Sequence, residues 1–144
     1  MKCLTTTDCR SSIYHDSLSI RQLVFIKEQQ IEPSIELDSL DPDCLHVVIY
    51  DDDQPVATAR ILPIAKKSWK IQRVAVKKSY RGKQLGRQLL ENIILLAKSN
   101  GITCLVLHAQ ESSIEFYRKI GFKTYGELFF EATIPHIKMK YLLN

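Results

Sequence analysis

The sequence predicts an α+β fold: a mixed, mostly antiparallel sheet with helices on its faces, arranged in three layers. Three observations carry this. Strand-like runs at Cys44–Tyr50, Val56–Leu62 and Trp69–Val76 follow one another with only short connections, as antiparallel neighbours do. A strongly periodic helix then separates Trp69–Val76 from the strand-like "ITCLVLHA", so that strand–helix–strand unit is parallel and right-handed. Two more strand-like runs close the chain, making the sheet mixed.

Taken in order, the elements run β-α-β-β-β-α-β-α-β-β. A short strand near Lys2–Thr7 rests on threonine content. A helix over about Ser12 to Gln29 rests on Ile20, Leu23, Val24 and Lys27 at helical spacing. Pro33 and the acidic run to Asp43 read as a loop with one helical turn. "DDDQP" is a tight connection between the first two central strands. The second long helix starts after "RGKQLG", buries Leu85, Leu89, Ile93, Leu96 and Ala97, and stops at Asn100-Gly101, both of which tolerate left-handed backbone. Ile102–Ala109 is apolar on successive residues, so burial on both faces is expected. A three-turn helix over Gln110–Ile120 ends at Gly121, before strands at Phe122–Glu131 and Ile134–Leu142.

A chain of 144 residues reads as one domain spanning 1–144. It buries enough surface to fold without disulfide or metal. No apolar run approaches the ~20 residues that cross a bilayer, and the N-terminus lacks a secretory h-region. Cys3, Cys9, Cys44 and Cys104 show neither paired nor metal-type spacing, so reduced thiols, a cytoplasmic setting and no metal are expected.

The net charge of +4 is unevenly spread. Residues 1–53 carry 4 basic and 11 acidic side chains, whereas residues 54–100 carry 11 basic and 1 acidic. A basic middle third suits a polyanion. Within it, "RVAVKKSYRGKQLGRQLL" runs from a strand through a glycine-bearing basic turn into a helix. A helix start offers unpaired N–H groups and the positive end of its dipole, which suits phosphate. Gly82 and Gly86 let backbone come close to a ligand. The turn is neither a Walker loop, lacking GK[ST], nor a dinucleotide fingerprint, since Gln84 stands where a glycine is wanted. On the residues alone, a solvated glycine turn remains open. A nucleic-acid surface is disfavoured because only Trp69 and Tyr80 lie among the basic residues as stacking groups.

"RVAV…YRGKQLGRQLL" resembles the acyl-CoA-binding segment of the GNAT superfamily of N-acetyltransferases, whose pattern is Arg/Gln-x-x-Gly-x-Gly/Ala after a strand. Arg81 and Gly86 match its ends; Gln84 replaces its middle glycine. "FYRKIGF" resembles the superfamily's later helix-and-strand signature. The ordered matches "VFIKEQ", "ELD", "LHVV", "ATARI", "HAQ" and "IPHIKM" resemble the ElaA/YjcF-like branch over nearly the whole chain.

The resemblance implies a splayed pair of parallel central strands with the thioester of acetyl-CoA, the cosubstrate, in the gap. It implies that main-chain amides of Arg81, Gly82, Lys83, Gln84, Leu85, Gly86 and Arg87 hold the pyrophosphate. Val74, Ala75 and Val76 would pair with the pantetheine arm, and Gln110 would touch the same arm in place of a common asparagine. Tyr117 would protonate the departing thiolate, while Phe116 packs. The oxyanion donor would be the N–H of Val76 or its neighbour. Relatives often place a glutamate base where this chain has Gln72. His108, His136, Glu28 and water then stay open as the base, since an imidazole near its ordinary pKa suits that task. His15 and His46 read as structural. The function implied is acetyl transfer to a primary amine by direct attack in a ternary complex; a non-catalytic CoA-binding sensor is the alternative. The acceptor is a small-molecule or peptide amine, with no nucleic-acid or membrane partner. Glu32, Glu36, Asp38, Asp41 and Asp43 suggest attraction of a cationic amine. Assembly stays open, with a homodimer the commonest form.

Overall fold

The computed structural model describes residues Met1–Asn144. Seven strands form one sheet in the order β1-β2-β3-β4-β5-β7-β6. They are β1 (Lys2–Thr6), β2 (Leu45–Asp51), β3 (Gln54–Ala65), β4 (Ser68–Val76), β5 (Cys104–Gln110), β6 (Lys123–Glu131) and β7 (Ile134–Leu142). Only β4 and β5 run parallel. The helices are α1 (Ser12–Arg21), a single turn α2 (Pro33–Glu36), α3 (Leu85–Ser99) and α4 (Ile114–Ile120).

The expected order holds throughout, with element ends moved by a residue or a few. Ser11 caps α1 by accepting the Tyr14 N–H at 3.2 Å. Beyond Arg21 the first helix loosens into a π-helical stretch, Gln22–Glu28, with the Gln29 N–H bonding the Val24 carbonyl. That widening rotates the stripe expected for a regular helix. Leu23 is 42% exposed, and Phe25 is buried with Ile20 and Val24. The α3 face follows the expected spacing, packing Leu85, Leu89, Ile93 and Ala97 into a core that includes Ile61, Trp69, Ile71, Leu105 and Leu107. β5 departs from the expectation of double burial. Leu105, Leu107 and Ala109 enter the core, while Val106, His108 and Gln110 are only partly covered, because their side of the strand borders a hollow.

The hollow originates in β4. Opposite β3, Arg60 pairs with Gln72 and Thr58 with Ala75, so β4 holds one extra residue at a β-bulge. Arg73 sits there at φ +55. Before the bulge Trp69 and Ile71 face the α3 core; after it Val74 and Val76 do, and Ala75 joins Ile20, Val24 and Phe25 on the other side. The β4–β5 pairing stops at Ile71–Leu107. From there the parallel strands diverge.

Candidate active site

Two features flank the divergence: a turn rich in free amides and a walled cavity. At the turn, the Arg81 N–H already donates to Lys78 O at 3.3 Å, so the free series starts one residue later than expected. The N–H groups of Gly82, Lys83, Gln84, Leu85, Gly86 and Arg87 donate to no protein acceptor; the first bond inside the helix is from Gln88 N–H to Gln84 O. Six successive unbonded donors at a helix start are the arrangement that suits an anion, an open cradle. Gly82 permits it with φ +80. Gln84 adopts φ +63 as the residue before α3, a left-handed backbone that glycine would take without strain. Gly86 serves differently from the sequence expectation. A Cβ there would lie 3.0 Å from the Phe116 ring, so its bare Cα admits the α4 aromatic rather than a ligand.

The cationic side chains at this turn are partly engaged. Arg81 forms a two-pronged bond with Glu28 at 2.7 and 2.8 Å, and its Nε donates to Val76 O at 3.0 Å. Lys83 lies over the Tyr80 ring, and Arg87 faces Glu91 at 3.5 Å. Glu28 therefore stands at the cradle and not in the cavity, and the Arg81 guanidinium beside it holds its carboxyl below the usual range. That placement disfavours it as a proton acceptor.

Lys77 N–H bonds Val56 O. By the alternation of an antiparallel ladder, Val76 and Val74 turn their main-chain groups the other way, toward the gap beside β5.

The cavity, about 380 Å³, lies in the gap. Tyr117, His108, His136 and Gln110 all line it, so the structure brings these four sequence-derived candidates together. Tyr117 is 8% exposed on α4, packs edge-on to Phe116 and Phe122, and its hydroxyl bonds no protein group. Burial pushes its phenol well above the usual tyrosine range, so it holds its proton. Gln110 donates to Gln29 Oε1 at 3.1 Å, tying β5 to the end of the π-helical stretch.

His108 Nδ1 lies 3.0 Å from Glu131 Oε2 and edge-on to Phe129. With Nδ1–H donating to the carboxylate, Nε2 carries the lone pair. The imidazole holds Glu131 below the usual carboxylate range. Phe129 also stacks on His136, whose Nδ1–H donates to Ile134 O at 2.7 Å. Glu131 and Phe129 carried no local signal. They reach the site only because β6 folds back on β7, pairing Phe129 with His136, and β7 pairs His136 with Gln110.

The opposite wall holds the acidic run, and its charges are matched. Arg21 and Arg60 are fully buried. Arg21 bonds Glu36 at 2.5 Å and Asp41 at 3.1 Å; Arg60 bonds Asp38 at 2.8 and 2.9 Å and Asp41 at 3.0 Å. Arg73 lies 2.6 Å from Glu36 and donates to Asp38 at 3.3 Å and to the Ile35 and Glu36 carbonyls. Gln72 Oε1 accepts from both Nε and the outer nitrogen of Arg60, at 3.1 and 2.6 Å. Three arginines meet three carboxylates. The expectation that this run attracts a cationic amine loses its basis, because Glu36, Asp38 and Asp41 are already neutralised; only Glu32 and Asp43 stay exposed. The contacts also explain how Arg73 keeps a left-handed backbone, since its guanidinium is pinned from several sides. His46, as expected, is structural: its Nε2–H donates to Asp41 O, while Nδ1 is buried and unpartnered.

Comparison with known proteins agrees with this layout. The acetyltransferase (GNAT) family model matches residues 11–122. The chain is 32% identical over 125 residues to the uncharacterized N-acetyltransferase YjcF of Bacillus subtilis (strain 168), covering 86% of this chain and 89% of that one. The crystal structure of Escherichia coli ElaA superposes with a TM-score of 0.84 at 29% identity, over 97% of this chain and 99% of that one. An acyl-CoA N-acyltransferase from Pseudomonas aeruginosa gives a TM-score of 0.84, the same identity and the same coverage.

Proposed function

The chain belongs to the acetyltransferase (GNAT) family and is an acyl-CoA-dependent N-acetyltransferase, and from that premise we propose that residues 1–144, as one domain, transfer acetyl from acetyl-CoA to a primary amine by direct attack. The observation that carries this reading is the row of six unbonded amides, Gly82 to Arg87, opening beside the gap that Tyr117 lines. The amides receive the pyrophosphate, and the main chain of Val74 and Val76 receives the pantetheine arm.

In the reaction, the amine nitrogen forms a bond to the thioester carbon. Its proton passes to His108 Nε2, which Glu131 orients through Nδ1. The carbonyl oxygen becomes negative and is met by the Val76 N–H, worth about 3–4 kcal/mol for one well-placed donor. The C–S bond then breaks, and the Tyr117 hydroxyl gives the sulfur a proton. Gln72 holds Arg60 rather than a proton. His136, with Nδ1–H committed to Ile134 O, lines the acceptor side and faces substrate.

The test is acetyl-CoA consumption across a panel of amines. At least one primary amine is turned over. Tyr117→Phe lowers kcat tenfold or more and leaves CoA affinity unchanged. His108→Asn and Glu131→Gln each lower kcat, the first by removing the base and the second by removing the carboxylate that orients it. Calorimetry that detects no heat with millimolar CoA overturns the reading.

A further inference from the structure

The acceptor cavity has one wall whose acids are matched and a floor that carries an unpaired lysine. On the wall, each carboxylate oxygen of Glu36 and Asp38 already faces a guanidinium of Arg21, Arg60 or Arg73. A substrate ammonium finds no free anion there.

The floor differs. Lys70 lines the cavity, half-buried, and takes part in no ion pair. Strand register pairs Lys70 with Val106 on β5, and β5 pairs Val106 with Lys140 and His108 with Lys138 on β7. Paired residues share a sheet face, so Lys70, His108, Lys138 and Lys140 lie on one side. Glu131 is the acid beside them, and its carboxylate is bonded to His108. Burial pushes the Lys70 pKa down, Glu131 opposes this, and Arg60, Arg73 and Lys138 push it further down. An ammonium in such surroundings gains from an anion brought by a ligand.

Resting on the acetyltransferase reading, we infer that the acceptor is an amine that also carries an anionic group, carboxylate or phosphate, which Lys70 holds while the amine faces His108. The register places Lys70 one strand across and two residues back from His108, about 8 Å between Cα atoms by ordinary sheet spacings. Both ends fit one molecule of amino-acid size. Lys70 thus selects the acceptor and is not a catalytic residue.

The experiment compares matched acceptors on the unaltered protein: glycine, β-alanine and γ-aminobutyrate against their carboxamides, and phosphoethanolamine against ethanolamine. The anionic member of a pair has a kcat/KM at least tenfold higher; which pair shows it separates carboxylate from phosphate. Lys70→Met raises the KM for that acceptor about tenfold and leaves kcat and the acetyl-CoA KM within about twofold, while Lys70→Arg restores it. Equal or better use of the uncharged members overturns the inference while leaving acetyl transfer intact. If no amine is turned over, calorimetric titration of the protein with N-acetyl-β-alanine and N-acetylphosphoethanolamine decides it. Heat that is lost in Lys70→Met supports an anion site, and no heat overturns it. CoA binding, measured in the same instrument, judges the acetyltransferase reading separately. The acceptor pairs need no variant, so poor folding of Lys70→Met does not shield the inference.

Discussion

At the turn before α3, six amide hydrogens from Gly82 to Arg87 have nothing to bind, whereas across the cleft each carboxylate of the Glu36–Asp38–Asp41 cluster meets an arginine. The first region is main chain, local and open. The second is side chain, assembled from α1, α2, β3, β4 and the loop before β2, and closed. Open donors are ready for a ligand; matched ions hold a loop to the sheet. The difference separates main chain left unpaired from side chains paired within the protein, although both regions are rich in charge.

The sharpest way to break the comparison is to unmatch the closed side. Arg21→Ala removes one of the two arginines that each of the buried Glu36 and Asp41 meets, and is expected to lower stability by about 3 kcal/mol, read by denaturant unfolding. CoA affinity of the remaining folded protein stays within a fewfold, because the cradle shares no bond with Arg21. Gly82→Val does the reverse. A β-branched residue at φ +80 costs about 1–2 kcal/mol and distorts the donor row, so the Kd for CoA rises about tenfold while the cleft cluster stays intact.

Acid titration sharpens the contrast further. His46 is held below its ordinary value chiefly by burial, since protonation would leave a buried, unpartnered N–H at Nδ1. Asp38 is held below the carboxylate range chiefly by its bonds from Arg60. For both groups the unfolded chain binds protons more readily, so stability falls as pH drops. The loss starts near pH 6.5 with His46 and resumes below about pH 4 with Asp38. The melting temperature across pH 8 to 3 should show two descents, and Asp38→Asn should shrink the lower one, leaving the part carried by Asp41, Glu28 and Glu131. The smallest effect belongs to Gln84→Gly, which relieves a left-handed non-glycine backbone; stability should rise by about 1 kcal/mol or less, with the CoA Kd unchanged or slightly improved.

Legibility in sequence follows the same division. The cradle is contiguous, so its glycines, basic residues and helix start could be read in one stretch, and the strand–helix–strand unit around it fixed the parallel pair. The α3 stripe was equally plain. The π-helical turn was not, because nothing in Gln22–Glu28 differs in composition from an ordinary helix; the exposure of Leu23 and burial of Phe25 follow from backbone widening alone. The meaning of the acidic run was hidden for another reason. Glu36, Asp38 and Asp41 read as free charges until Arg21, Arg60 and Arg73 are placed beside them, and those pairings span 15 to 37 residues. Glu131 and Lys70 likewise gain meaning only from strand register. Gln72 looked like a missing base; in place it is an acceptor for Arg60, and a glutamate there would add a fourth carboxylate to a balanced cluster.

The bulge at Arg73 shows how little separates an enzyme from an inert scaffold. With that residue deleted, Gln72, Val74 and Ala75 would sit in ordinary antiparallel register against Arg60, Ala59 and Thr58, and the valines would still face α3. β4 could then zip to β5 along its full length. The gap lined by Tyr117, His108 and Gln110 would then close. The cavity thus rests on one surplus amino acid in a strand, an arginine pinned in place by Glu36 and Asp38.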